Sequence, residues 1–282
     1  MARIADLLAA GRTTSFEFFP PKNDEEQRSL VKTLSELAPL RPSFVSVTYR
    51  GGRSSRERTT RLVAGLRSTT DLTPMAHLTC VGHSRLELAE ILVDLRTAGV
   101  ENLMALGGDP LPDEEGPAEL AYADELVDLA RAIGGFSIGV AAHPDVHPRS
   151  ADRHSDRVHL AAKLAKADFA VTQFFWTIDS YLSLVDELAA LGVNKPVLPG
   201  VMPLTSVASA TRMATMGGPV PHEVLARWDG VGPADERAVG IDHMVELCAA
   251  LLDAGAPGLH FYTLNRSTAT REIAEKLGLA PA

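Results

Sequence analysis

Short runs dense in β-branched and aromatic residues recur along the chain: SFEFFP (15–20), FVSVTY (44–49), PMAHLTC (74–80), NLMALGG (102–108), FSIGVAAH (136–143), FAVTQFFW (169–176), KPVLPGVMP (195–203) and GLHFYTLN (258–265). Between most of them the apolar positions switch to helical spacing, as in LELAEILVDLRTAG (86–99) and YADELVDLARAIG (122–134). The first seven runs start about 30 residues apart, the length of one βα unit. The last interval is longer and predicts two helices, 206–216 and 234–254. Ahead of the first strand, MARIADLLAAGRTT predicts a short amphipathic helix. Eight alternations without a linker predict an α/β fold, a single (β/α)8 TIM barrel with an N-terminal helix, occupying 1–282 as one domain. An open doubly wound sheet is the rival, but no GxGxxG follows the first strand as a dinucleotide fold would require.

Composition changes this picture little. A hydrophobic share of 45% with 22% charged residues is ordinary for a globular chain of 282 residues. The formal charge of −9 argues against nucleic acid or an anionic membrane surface as partner, though not against a small anionic substrate. Cys80 and Cys248 lie far apart, fit no metal spacing, and read as reduced thiols. Asp6 interrupts the apolar stretch at the N-terminus, so no signal peptide is expected, and the uncharged span 196–211 carries three prolines. These features predict a cytoplasmic protein. No interface helix stands out, so homo-oligomerisation stays open.

Barrel chemistry sits where strands end, so polar residues inside or just after the strands are the informative ones. Glu17 stands between Phe16 and Phe18 in a strand expected to be buried on both faces. A carboxylate there must be paired, for instance with Arg266, or be protonated with a raised pKa, as a general acid requires. Asp109 follows Gly107 and Gly108 and either caps the next element or serves the site. Gln173 offers donor and acceptor together, suited to the edge of a heterocycle or to a bond within the barrel. Tyr262 and Arg266 either hold a carboxylate or phosphate or close the barrel at its last strand. The stretch HPDVH (143–147) with His77 invites a zinc reading, but Pro144 stiffens it and no HxH follows the first strand; no metal is expected. Arginines 50, 53, 56, 58 and 61 read as a solvated face or as a grip on a pyrophosphate or polyglutamate tail.

Taken in order, SFEFFPPK, FVSVTY, HLTC, LxGDP, HPxxHP, TQFF, PGxMP and HFYTLNR resemble the methylenetetrahydrofolate reductase family, from Ser15 to about Leu279. The length is similar to that of the short bacterial catalytic form. The resemblance implies a (β/α)8 barrel reducing 5,10-methylenetetrahydrofolate to 5-methyltetrahydrofolate, in one-carbon and methionine metabolism, with NADH or NADPH as donor. It implies that Glu17 is the general acid that opens the folate's five-membered ring to an iminium ion. It implies that Asp109 stabilises the resulting cation and that Gln173, Tyr262 and Arg266 bind the substrate. Thr48, His77, Gly108, His143, His147 and Lys163 would line the cofactor.

The chain departs from the family where FAD is held. The fourth strand commonly ends LRGD with a flavin-contacting arginine, and here it reads Leu106-Gly107-Gly108-Asp109. His143 replaces the usual aromatic residue, and Ala162 stands beside Lys163 where a basic pair is expected. Each lost charge-assisted contact is worth about 1.5–3 kcal/mol. The expectation is therefore weak or absent FAD binding, with NADH passing hydride directly to the folate. A conventional FAD-dependent reductase, a non-catalytic folate-binding barrel and a metal-dependent barrel hydrolase are the rivals.

Overall fold

The computed structural model describes residues 2–49, 53–109 and 119–279. Its parallel strands are β1 (Thr13–Phe18), β2 (Phe44–Val47), β3 (Pro74–Thr79), β4 (Asn102–Leu106), β5 (Ser137–Ala142), β6 (Phe169–Thr172), β7 (Val197–Leu198), β8 (Gly200–Val201) and β9 (Gly258–Tyr262). Their order round the sheet is β7-β6-β5-β4-β3-β2-β1-β9-β8. The run expected at 195–203 is one strand broken in two. Its first half pairs with β6 and its second with β9. The break falls at Pro199, which has no N–H for a ladder but whose carbonyl accepts from His260 N–H at 3.0 Å. The sheet so comes round into a nearly closed barrel.

The surrounding helices are α1 (Ile4–Ala10), α2 (Asp24–Leu37), α3 (Arg53–Thr69), α4 (Arg85–Thr97), α5 (Ala123–Ile133), α6 (Arg153–Lys166), α7 (Ile178–Ala190), α8 (Val207–Gly217), α9 (His222–Leu225), α10 (Glu236–Asp253) and α11 (Thr268–Lys276). The two helices expected before the last strand are α8 and α10; the short α9 between them has no periodic signal of its own. Among the described residues no helix is long and apolar enough to cross a membrane. Both cysteines are buried free thiols, with burial pushing each pKa up to about 12.

Strand alternation divides the apolar side chains into two cores. The larger lies between strands and helices and includes Phe16 and Phe18. The smaller fills the barrel with Phe44, Met75, Met104, Phe169, Val171 and Leu198, joined by Ile4 and Leu8 of α1. This α1 is a plug under the barrel. Its free N–H groups need acceptors, and Asn102 Oδ1 receives Ile4 N–H at 2.8 Å while Ser137 Oγ receives Ala5 N–H at 3.0 Å. The lumen is thus sealed below, leaving the carboxyl ends of the strands as its mouth.

Two glycines fix the lumen's shape. A Cβ on Gly139 would lie 2.6 Å from the Phe169 ring, and one on Gly200 2.2 Å from Thr172 O and 2.6 Å from the Tyr262 ring. Gly200→Ala is expected to destabilise by about 1–3 kcal/mol through overpacking against backbone. Gly65→Ala, inside α3 with nothing within 4 Å, should instead stabilise by about 0.5–1 kcal/mol. Denaturant melts of the two variants check both signs.

Candidate active site

The same alternation that sends Phe16 and Phe18 outward turns Ser15 and Glu17 into the lumen. Glu17 lies in register with Ser46 of β2 and Tyr262 of β9. Its Oε2 stands 3.5 Å from His77 Nε2, 3.6 Å from His260 Nε2 and 3.4 Å from Ser46 Oγ. Its backbone is tied down as well: the Thr263 hydroxyl donates to Glu17 O at 2.6 Å, and Asn265 bonds both Phe19 N–H and Phe19 O. Asn265 adopts φ 57° to do so, a left-handed conformation that asparagine tolerates better than most residues.

Burial alone would push the Glu17 pKa up, as the sequence reading of a protonated acid expects. The hydrogen bond from His260, the fields of His77 and His260, and the Ser46 hydroxyl outweigh it and hold the carboxyl below its ordinary value. Of the two readings open for Glu17, the paired one describes this carboxyl, with histidines and a serine as partners in place of Arg266. Arg266 is exposed in the loop after β9. Burial also lowers the His77 pKa, against the pull of Glu17.

One wall above Glu17 is unsatisfied. Thr48 Oγ1, His77 Nε2 and Thr79 Oγ1 are buried and have no hydrogen-bond partner among the described residues. Orphaned polar atoms gathered at the mouth of a barrel are what a site presents to the polar edge of a bound heterocycle. Gln173 adds to this edge. Its side-chain oxygen accepts from Phe174 N–H at 3.0 Å, leaving its amide N–H groups for a ligand.

The adjoining wall is rigid and carries the basic groups. Gly108 turns at φ 86°, packed so tightly that a Cβ would lie 2.5 Å from Val81 Cγ1, and Asp109 follows it, exposed. His143 and His147 meet edge to face at 4.5 Å. Burial and the neighbouring His147 pull the His143 pKa down to about 4. Burial lowers that of Lys163 to about 8, with its Nζ donating to Ala141 O at 2.7 Å. The HPDVH stretch is held by residues that sequence inspection missed. Buried Arg157 donates to the carbonyls of His143, Pro144 and Asp145 at 3.1, 2.6 and 2.7 Å. Asp156 accepts from His147 N–H and the Ser150 hydroxyl. Arg149 was missed too. Its Nη2 donates to Gly108 O at 3.3 Å and lies 4.0 Å from where a Gly107 Cβ would stand.

Other expected site residues fall elsewhere. The Tyr262 hydroxyl donates to Thr172 O at 2.5 Å, so it closes the barrel across the broken strand. Arg58 and Arg61 line an outer groove between α2 and α3 with Leu34 and Leu62. Arg50 and the side chains of Arg53 and Arg56 lie outside the described residues. Among the described residues no group of three His, Cys, Asp or Glu side chains is placed to hold a metal ion.

Residues 3–278 match the family model described as methylenetetrahydrofolate reductase. The chain belongs to the methylenetetrahydrofolate reductase family. It is 35% identical over 271 residues to the 5,10-methylenetetrahydrofolate reductase of Escherichia coli K12, covering 95% of this chain and 91% of that one. It is 35% identical to methylenetetrahydrofolate reductase 1 of Schizosaccharomyces pombe, covering 95% of this chain but 46% of that protein. Among solved structures it resembles, at TM-score 0.62 and 13% identity, a Clostridium thermocellum protein described as binding two copies of 5-methyl-5,6,7,8-tetrahydrofolic acid, with 98% of this chain and 97% of that one covered. That likeness shows the fold, and membership in the family makes the chain an oxidoreductase of this class.

The rigid wall has a pH signature. An unfolded His143 binds a proton near its ordinary 6.5, whereas the folded one resists to about 4. The unfolded chain therefore holds more protons in that window, and stability falls as pH drops from 6.5 toward 4. His143→Phe should lose about 1–2 kcal/mol less stability over this range. Denaturant melts at both ends of the window check it, and an equal loss in the two proteins would refute the assignment.

Proposed function

We propose that this barrel, acting as one catalytic domain, reduces 5,10-methylenetetrahydrofolate to 5-methyltetrahydrofolate with Glu17 as the acid. The observation that carries the reading is the Glu17 carboxyl sunk among His77, His260 and Ser46 below a wall of orphaned polar atoms. Glu17 delivers a proton to the folate nitrogen N10, the bond from N10 to the bridging carbon breaks, and that carbon becomes a cationic iminium on N5. Asp109, exposed at the mouth, supplies negative charge toward which the cation is oriented. Gln173 offers its amide to the pterin edge, and Arg266 the outer part of the substrate. Water is excluded from below by α1.

The residues fit a dinucleotide. Thr48 and Thr79, beside His77, present unpaired hydroxyls to a heterocycle, and Gly108, His143, His147 and Lys163, with Arg149, face its phosphate side. A reduced nicotinamide bound there supplies the hydride. With Gly107 and Ala162 where flavin contacts are expected, FAD is held weakly and the nicotinamide donor serves the folate directly. Conventional FAD dependence is favoured by one observation, the Arg149 guanidinium beside Gly107.

Purified protein is expected to show no stoichiometric flavin absorbance and to oxidise NADH when methylenetetrahydrofolate is added. Bound flavin in molar ratio would overturn the direct reading, and absence of turnover without flavin would overturn it equally. Gly107→Arg should tighten added FAD by about tenfold or more, since one charge-assisted contact exceeds 1.4 kcal/mol. Glu17→Gln should cut kcat by about 10²–10⁴ without altering the fold; near-normal turnover would remove Glu17 from the acid role.

A further inference from the structure

The break at Pro199 leaves one carbonyl without its ladder partner. Ala170 and Val171 of β6 stand in register with Val197 and Leu198 of β7, and Ala170 N–H donates to Pro196 O as parallel pairing requires. Carried one step further, the same pattern would send Gly200 N–H to Thr172 O. The chain turns at Pro199, and Gly200 N–H goes instead to the Thr172 hydroxyl oxygen at 2.9 Å. Thr172 is fully buried, so its carbonyl needs another donor. Tyr262 supplies it. Its hydroxyl reaches over β8 from β9 and donates to Thr172 O at 2.5 Å. Gly200 makes the room for this bond, since a Cβ there would lie 2.2 Å from Thr172 O and 2.7 Å from the Tyr262 hydroxyl.

The next residue is Gln173, and it shares one planar peptide unit with Thr172. Tyr262 holds that unit on its oxygen side; on its nitrogen side Gln173 N–H donates to Ala142 O of β5 at 2.8 Å. The side chain is oriented as well. Phe174 N–H donates to its Oε1 at 3.0 Å, which puts the oxygen on that side and leaves the amide nitrogen as the donor a ligand meets. We propose that Tyr262 is a positioning residue, whose hydroxyl sets where Gln173 presents its amide to the pterin relative to the acid at Glu17. This rests on the reading of Gln173 as the group on the pterin edge. The hydroxyl has one hydrogen, given to Thr172 O, so Tyr262 has none to donate to the substrate. Its tie to the acid is short. Tyr262 stands in register with Glu17 on β1, and its ring meets His260, a partner of that carboxyl, edge-on at 5.4 Å. One side chain thus joins the level that carries the acid to the peptide that carries the pterin anchor. Ring opening requires the folate N10 at Glu17 while the pterin edge is on Gln173, so the spacing between the two governs productive binding.

Tyr262→Phe keeps the ring and removes the hydroxyl, so the Thr172–Gln173 peptide is held from the β5 side alone. The first measurement needs no substrate. Gln27 and Gln173 are the chain's two glutamines, so protein isotope-labelled at glutamine nitrogen gives two sets of amide signals in NMR. Those of Gln173 are assigned by their loss in Gln173→Ala. In Tyr262→Phe the Gln173 signals should move and its backbone N–H exchange faster, while the Gln27 signals stay in place and report an intact fold. Gly200→Ala, which forces the same bond apart from the other side, is the second variant and should move them too. The next measurement is a double-mutant cycle on the folate KM. Tyr262→Phe should raise it about three- to tenfold, the effect of one hydrogen bond, with the KM for NADH unmoved. Tyr262→Phe combined with Gln173→Ala should be no worse than Gln173→Ala alone, because the hydroxyl acts through the amide. Additive losses, equal rises in the two KM values, or Gln173 signals that stay put in both variants would overturn the proposal. The two failures read differently. If Gln173→Ala leaves the folate KM unchanged, the pterin-edge reading falls and the proposal with it; if that KM rises but neither the signals nor the cycle responds to Tyr262→Phe, the positioning role alone falls.

Discussion

The constraint on which the rest of the structure depends is a carboxyl group kept inside a barrel. Taking one carboxylate out of water costs several kcal/mol even after relaxation, and β1 places Glu17 there with an aromatic residue on either side in sequence. What offsets the cost is local. β2, β3 and β9 each send one polar side chain to the same level, Ser46, His77 and His260. Below that level the lumen is apolar and sealed by α1. The charge therefore has one open direction, the mouth, and whatever binds there meets it. Thr263 and Asn265 hold the strand end so that this direction is fixed.

The second wall solves a different problem, keeping several basic groups close together. His143 and His147 touch edge to face, and burial keeps the His143 pKa low enough that it adds no charge at neutral pH. Lys163 is likewise less basic than an exposed lysine. The loop carrying the two histidines is shaped by Arg157, whose guanidinium takes three carbonyls and the Asp156 carboxylate at 2.5 Å. A buried Arg–Asp contact contributes little net stability on its own, but here it sets the position of a binding wall.

Much of this was legible in the sequence because it is periodic. Eight near-continuous apolar runs separated by helical patterns are enough for the barrel, and Glu17 is visible as the one carboxylate where none should be tolerated. His260 was not, because an imidazole among Leu259, Phe261 and Tyr262 reads equally well as a filler of the core. Its hydrogen-bond partner Ser15 stands 245 residues away along the chain. Arg157 escaped notice since one arginine on an amphipathic helix usually points to solvent. The pKa of Glu17 went the other way from the burial argument for the same reason: burial is readable from one strand, whereas the compensating groups come from three others. Tyr262 reads from sequence either as a ligand contact or as a closure of the barrel, and only the break at Pro199 brings Thr172 O within reach of its hydroxyl.

Where the cation stands also bears on how a dinucleotide is held. An arginine at position 107 would rise directly from the turn at the end of β4, in the same rigid segment as Gly108. The Arg149 guanidinium reaches that spot from the loop after β5, on an exposed side chain anchored by a single carbonyl at 3.3 Å. A long exposed side chain surrenders more rotamer freedom on gripping a phosphate, about 0.5–1.5 kcal/mol, and its charge is screened by solvent. The same net charge then gives a weaker and faster-exchanging grip.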